Sequence, residues 1–304
     1  MIPLLALLLL QAVISVRTEL VAVPVLVTDA RGRRVSGLTE ENFRVFEDNR
    51  LQPIVAFHHG DGAVTVGLVV DRSQSMRPKS AALLTALTAL LQSSRPGDEL
   101  FGVDFNDRVA FALPEGRPFT SDANELAGAL TAVRAEGRTA LYDGVAEGLE
   151  RLRLGRAEKR ALVVVSDGGD NGSRRTYAEV LALARGSDAV IYAIGLLGSS
   201  ETGGQEEEDA GLLKRLCRDT GGAAYFPRTP EEIVAVSTEV ARSLREQYML
   251  GFVPGARASG RAFRRIEVKV SAPGHGRLRV RTRSGYVAAG DMHTTGPNGR
   301  TIAP

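Results

Sequence analysis

Residues 64–76 read VTVGLVVDRSQSM. The first seven are apolar apart from one Thr and one Gly, and rich in β-branched side chains, as expected of a strand buried on both faces. The run then breaks into Asp71-Arg72-Ser73-Gln74-Ser75, with Asp71, Ser73 and Ser75 at alternate positions. A strand of this kind needs helices above and below its sheet, so the neighbouring sequence should switch repeatedly between the two periods. Apolar runs recur at 162–165 and 189–194, and 100–105 and 109–113 can add two further strands. Apolar residues at three- or four-residue spacing predict helices over 79–92, 124–133, 141–152, 177–184, 210–218 and 231–245. Residues 61–245 therefore read as an α/β domain with a doubly wound, mostly parallel sheet.

The flanks have period two instead. Val21, Val23, Val25 and Val27 share one face, and 43–47 and 52–57 read as strands joined across Asp48, Asn49 and Arg50. On the far side, 248–253, 264–270 and 277–282 read as strands, with Ile266, Val268 and Val270 alternating against Arg265, Glu267 and Lys269. Neither flank is large enough to stand alone, so 18–60 and 246–288 are expected to combine as one small β-sandwich-like unit with the α/β domain inserted between them. A disordered tail is expected over 289–304.

The 304 residues are 43% hydrophobic and 24% charged, which excludes a disordered polyelectrolyte. One cysteine, Cys217, excludes an intramolecular disulfide framework and any Cys-rich metal site. With 38 Lys and Arg against 36 Asp and Glu, the net charge of +2 gives no reason to expect nucleic-acid binding by the whole molecule. Residues 2–16 form an uncharged run around LLALLLL, followed by Arg17 and Glu19. That run is short for a bilayer span and suits a signal-peptide core. Residues 1–17 are thus expected to direct export, making the chain secreted, periplasmic or cell-surface. Membrane contact follows only if this segment stays uncleaved as an anchor.

In a doubly wound sheet, ligands gather beyond the carboxyl ends of the strands. Three polar loops lie there in the reading above: Asp71 to Met76, Gly137-Arg138-Thr139-Ala140, and Asp167-Gly168-Gly169-Asp170-Asn171. Two carboxylates and three hydroxyls, with no His or Cys, make a hard donor set suited to Mg²⁺ or Mn²⁺ rather than Zn²⁺ or Cu²⁺. With only two formal charges around it, such an ion could still accept a carboxylate from another molecule.

The order D-x-S-x-S, G-x-T-x-L-x-D and S-D-G resembles the metal-ion-dependent adhesion site of von Willebrand factor A domains. The flanking segments GLTEENFRVFEDNRLQPIVAF and REQYMLGFVP, with RRIEVKV and RTRSGYVA, are similar to those of secreted bacterial proteins related to that family, so the likeness covers about 18–288. The resemblance implies a Rossmann-like domain in which Ser73, Ser75 and Thr139 are hydroxyl ligands, and Asp71 and Asp167 bind directly or through water. It also implies a partner protein presenting an acidic residue to the ion. Two departures stand out: Gln74 replaces the usual small Gly between the serines, and Arg72 and Arg77 place positive charge at the rim, near Gln74 and Arg138. Asp143 and Asp170 are candidates for water-mediated contact or helix capping.

Other readings compete. The same Asp and Ser residues could simply cap helices, or the ion could serve only to stabilise the fold. An enzyme ranks last. An aspartyl-phosphate chemistry needs an acid two residues after its nucleophile, where Ser73 stands, and no G-x-S-x-G elbow, phosphate loop or strand-linked G-x-G-x-x-G is present. His58 and His59 read as linker or strand-edge residues, Cys217 as a packed small residue, and 206–209 as part of a solvated loop. Arg277, Arg279, Arg281 and Arg283 alternate along one strand. With Arg265 and Lys269 they could form a basic face for an anionic partner.

Overall fold

The computed structural model describes residues 20–197, 203–255 and 263–287, with side chains excepted at 203–206. The run at 2–16 and the tail at 289–304 lie outside the described residues.

The chain begins with β1 (Val21–Thr28), β2 (Phe43–Glu47), β3 (Arg50–Gln52) and β4 (Ala56–His58). It continues through β5 (Val64–Asp71), α1 (Ser80–Leu91), β6 (Glu99–Phe105), β7 (Val109–Phe111), α2 (Ala123–Thr131), α3 (Leu141–Leu152) and β8 (Lys159–Ser166). Then come α4 (Tyr177–Gly186), β9 (Val190–Gly195), α5 (Gly203–Thr220), β10 (Ala224–Tyr225) and α6 (Pro230–Arg245). The C-terminal strands are β11 (Tyr248–Phe252), β12 (Phe263–Val270), β13 (Arg279–Thr282) and β14 (Gly285–Val287).

The central sheet has the order β10-β9-β8-β5-β6-β7, parallel throughout except for β7. Helices α1, α2 and α6 pack on one another and on one face, and α3, α4 and α5 cover the other. Burial on both sides explains the apolar centres of β5, β8 and β9. The chain leaves β5 toward β6 and later returns to its other side as β8. The topological switch point therefore falls between β5 and β8, where the loops after both strands diverge.

The flanks form two four-stranded antiparallel sheets, β13-β1-β11-β4 and β14-β12-β2-β3. Their inner faces share one apolar core, with Val23, Val25, Phe43, Val45, Tyr248, Leu250 and Phe252 at its centre. Tyr248 fixes the middle of this core. Its ring lies against Phe43 and Phe57 and stacks on His59 at 4.1 Å, and its hydroxyl donates to Val35 O at 2.9 Å.

Two local readings need correction, at 52–57 and at 206–209. The segment 52–57 is not one strand: Pro53 lacks an N–H to donate, and the chain turns there from one sheet into the other, as β3 and β4. Residues 206–209 lie inside α5, not in a loop. The short strands β10 and β14 carry too few residues to show a period. Cys217 is fully buried, and burial pushes its thiol well above the ordinary range, as a packed residue should show.

Candidate functional site

The three polar loops meet at the switch point and are tied together by their backbones. Arg72 N–H donates to Phe105 O at 2.7 Å, prolonging the β5–β6 pairing one step past the strand. Glu136 N–H donates to Arg72 O at 2.7 Å and Gln74 N–H to Gly137 O at 3.0 Å, joining the first loop to the second. Thr139 N–H donates to Asn171 Oδ1 at 2.9 Å, while Asn171 and Gly172 N–H both donate to Thr139 O at 2.9 Å, joining the second loop to the third. Gly137 makes the second loop possible. Its φ is +77°, and a Cβ there would stand 2.1 Å from Asp107 Oδ2.

Asp71 ends β5 with its carboxylate completely buried. Oδ1 accepts Ser73 N–H at 2.8 Å, and Oδ2 accepts the Ser166 hydroxyl at 2.6 Å. Both donors are neutral. Burial accordingly pushes Asp71 up to about 6, the hydrogen bonds from Ser166 and Ser73 offset part of that, and the negative Asp167 adds to it. Ser73 Oγ lies 3.0 Å from Ser75 Oγ, the first hydroxyl buried and the second exposed. Asp167 Oδ2 accepts Lys79 Nζ at 3.0 Å, so an ammonium group already stands beside one of the two carboxylates. Among the described residues, no group of three or more His, Cys, Asp or Glu could hold a metal ion, so any cation here would depend on hydroxyl oxygens.

Ser166 and Lys79 escaped the sequence reading. Ser166 precedes Asp167 in S-D-G, and its hydroxyl also accepts Gly168 N–H at 3.0 Å, which fixes the direction of its proton toward Asp71. Lys79 closes the 3-10 segment Gln74–Lys79 that leads into α1, and nothing in its spacing marked it.

The remaining candidates separate. Gln74, Arg77 and Arg138 are exposed around the loops; Arg77 Nε donates to Ala135 O at 2.7 Å and Arg138 Nε to Asp107 Oδ1 at 2.9 Å. Arg72 is not a rim residue. Its backbone continues the alternation of β5, which turns the side chain inward onto Asp104 Oδ1 at 2.9 Å and onto the Leu130 carbonyl. Asp143 accepts the N–H groups of Arg174 and Arg175, both at 3.0 Å. Asp170 accepts Tyr142 N–H at 3.1 Å and the Ser173 hydroxyl at 2.6 Å. Both carboxylates lock the start of α3 to the loop before α4, in a capping role.

The single basic face of the C-terminal strands does not exist as one surface. Arg265 and Lys269 lie on β12 and Arg279 on β13, which belong to different sheets. Arg277 and Arg279 are exposed, whereas Arg281 packs over the Tyr192 ring at 5.6 Å and Arg283 is buried. The edge strand β13 lies against the α/β domain on this side, and that contact draws the two later arginines inward.

Residues 66–169, from within β5 to the loop after β8, match the family model of the von Willebrand factor type A domain. Among solved structures, a von Willebrand factor type A protein from Catenulispora acidiphila is similar at TM-score 0.50 and 14% identity, over 82% of this chain and 75% of that one. The pilus adhesin SpaC from Lactobacillus rhamnosus GG, in its open conformation, is similar at TM-score 0.50 and 11% identity, over 81% of this chain and 48% of that one. At such identities the likeness is one of fold, and this chain spans about half of the adhesin's length. No curated protein matches the chain.

Proposed function

We propose that this chain is an exported binding module whose three-loop crevice takes a divalent cation, Mg²⁺ or Mn²⁺, and through it an acidic group of a partner protein. The observation that carries this reading is Asp71: a carboxylate held at the switch point of the sheet, fully buried, and answered only by the neutral donors Ser73 and Ser166. A buried carboxylate without a countercharge is costly, and a cation is the group that relieves it. The adjacent hydroxyls of Ser73 and Ser75 supply further hard oxygen donors on the same loop. Thr139 and Asp167 come from the two loops bonded to it. Bound there, the ion would supply an electrophilic point able to accept a partner's carboxylate. Ser166 would hold Asp71 in orientation, and Gln74 and Arg138 would border the approach. We read the site as one of binding without turnover. Export rests on the apolar run at 2–16 alone.

Calorimetric titration of the full chain with Mg²⁺ and Mn²⁺ tests the reading. Saturable binding is expected in the native protein and should be lost in Asp71→Ala and Thr139→Ala variants that remain folded. Absence of binding at millimolar concentration, or unchanged binding in both variants, overturns it.

A further inference from the structure

At the end of the central sheet opposite the three loops, a cavity of about 280 Å³ opens between the α/β domain and the sandwich. Arg160 at the start of β8 lines it. Asp167 lies seven residues on, so the two sites stand about 23 Å apart along one strand. The cavity wall holds four guanidinium groups, those of Arg153, Arg160, Arg185 and Arg283, and a single carboxylate, Asp188. Arg153 follows α3, Arg160 lies at the start of β8 and Arg185 in the last turn of α4, all at the base of the α/β domain, whereas Arg283 joins β13 to β14 in the sandwich.

Three of the four meet a carboxylate and the fourth, Arg283, meets none within ion-pair distance among the described residues. Arg160 reaches both oxygens of Asp188 at 3.3 Å and donates besides to Ala157 O at 3.1 Å and Gly155 O at 3.0 Å. Arg185 touches Asp219 at 3.2 Å and lies 4.5 Å from the centre of the Phe263 ring, but its Nε is buried without a hydrogen-bond partner. Arg153 sits at the mouth, largely exposed, with Glu150 at 3.3 Å. Arg283 is 6% exposed, and among the described residues no carboxylate pairs with it. It spends its donors on carbonyls instead: Gly285 O at 3.0 Å, Arg185 O at 2.7 Å and Ala22 O at 3.5 Å. Burial pulls its guanidinium down to about 10, and the charge of the nearby Asp188 offsets only part of that.

We propose that this cavity is an oxyanion-binding site, for a small phosphate- or carboxylate-bearing molecule, that bridges the sandwich and the α/β domain. Planar guanidinium forks match both kinds of oxyanion, and a buried fork gains most when its partner is charged. The opposite wall, with Leu20 and Tyr286, is apolar and leaves room for a small organic body beside the anionic group. Because Arg283 and the other three arginines belong to different structural units, occupancy should stabilise their junction as well as the ligand.

The test titrates the full chain, freed of divalent ions over a chelating resin, with inorganic phosphate and, separately, with malonate, against chloride at equal ionic strength, following heat and the unfolding midpoint. Removing the divalent ions separates the outcome from that of the cation site. One saturable site for phosphate or malonate is expected, with a raised midpoint; whichever anion binds more tightly identifies the source of the oxyanion. Arg185→Gln should weaken that binding by roughly tenfold or more, and Arg153→Ala, at the exposed mouth where folding is not at risk, by roughly threefold. Lys269→Gln, away from the cavity, should leave it unchanged. No saturable binding above the chloride control, or native affinity in Arg153→Ala together with a folded Arg185→Gln, overturns the proposal.

Discussion

Asp71 and Lys79 are two unlike answers to the problem of a carboxylate near the centre of a sheet. The folded-state value of Asp71, about 6, stands above the unfolded one of 3.8, so the native state holds this proton more tightly than the unfolded chain does. The resulting stabilisation is complete below about pH 3.8 and is lost as pH rises through about 6. At pH 7.5, without divalent ions, the buried charge is a net burden that Asp71→Asn removes while keeping groups able to meet Ser73 N–H and the Ser166 hydroxyl. Urea unfolding in EDTA should therefore show Asp71→Asn more stable than the native chain by roughly 1–3 kcal/mol at pH 7.5, with the gap closing toward pH 5. A native chain more stable than the variant at pH 7.5 contradicts this account. Lys79 gives the opposite case, since its ammonium already occupies one side of Asp167 and must yield if a divalent ion arrives. Lys79→Met should tighten Mg²⁺ binding by about tenfold in calorimetry, the size of one partly screened charge contact.

The helices and strands differ in how far their own residues announce them. Helix α3 matches its predicted span at both ends, because its apolar face begins at Leu141 and stops at Leu152. The central strands β5, β8 and β9 were legible because burial on both faces leaves their centres apolar. Helix α5 was legible only in its packed half, predicted over 210–218 and carrying Leu213 and Leu216, since Gly203 and Gly204 followed by an acidic run look like solvated loop. The break at Pro53 was readable in principle from its missing donor. What no local pattern could show is the second sheet that β4 enters. In the candidate site, the loops were visible as oxygen-rich strand endings, but the inward turn of Arg72 was not, because it depends on Asp104 one strand away. The loop before α3 offers a test at this scale. Gly137→Ala forces a left-handed backbone onto a residue with a Cβ and drives it into Asp107, so it should destabilise the fold by about 1–3 kcal/mol. It should also weaken divalent binding several-fold, because Gly137 O holds Gln74 of the first loop. Chemical unfolding and calorimetry on the same sample read both effects.

At the scale of the whole molecule, the α/β domain is inserted into the sandwich, and both connections pass one side chain. Lys159 Nζ donates to Gly60 O at 2.7 Å, on the way in, and to Arg245 O, on the way out. Burial pulls this amine down to about 8, below its ordinary 10.5. The unfolded chain thus binds the proton more tightly, and the associated stability is fully present above about pH 10.5 and lost as pH falls through about 8. Neutral or charged, the amine retains enough N–H groups for both carbonyls. Thermal unfolding should show the native chain gaining stability relative to Lys159→Met between pH 7 and pH 9, and a difference that stays flat over that interval would contradict the assignment. The shared anchorage also has a mechanical meaning. Tension applied between residues 20 and 287 is met first by the end pairs of the sandwich, Val21 with Phe252 and Val287 with Phe263, and then by the antiparallel pairing of β1 with β13. The inserted domain, with its three-loop crevice, feels the pull only after that pairing has parted, so the sandwich acts as a fuse in series with the tether and in parallel with the domain it carries.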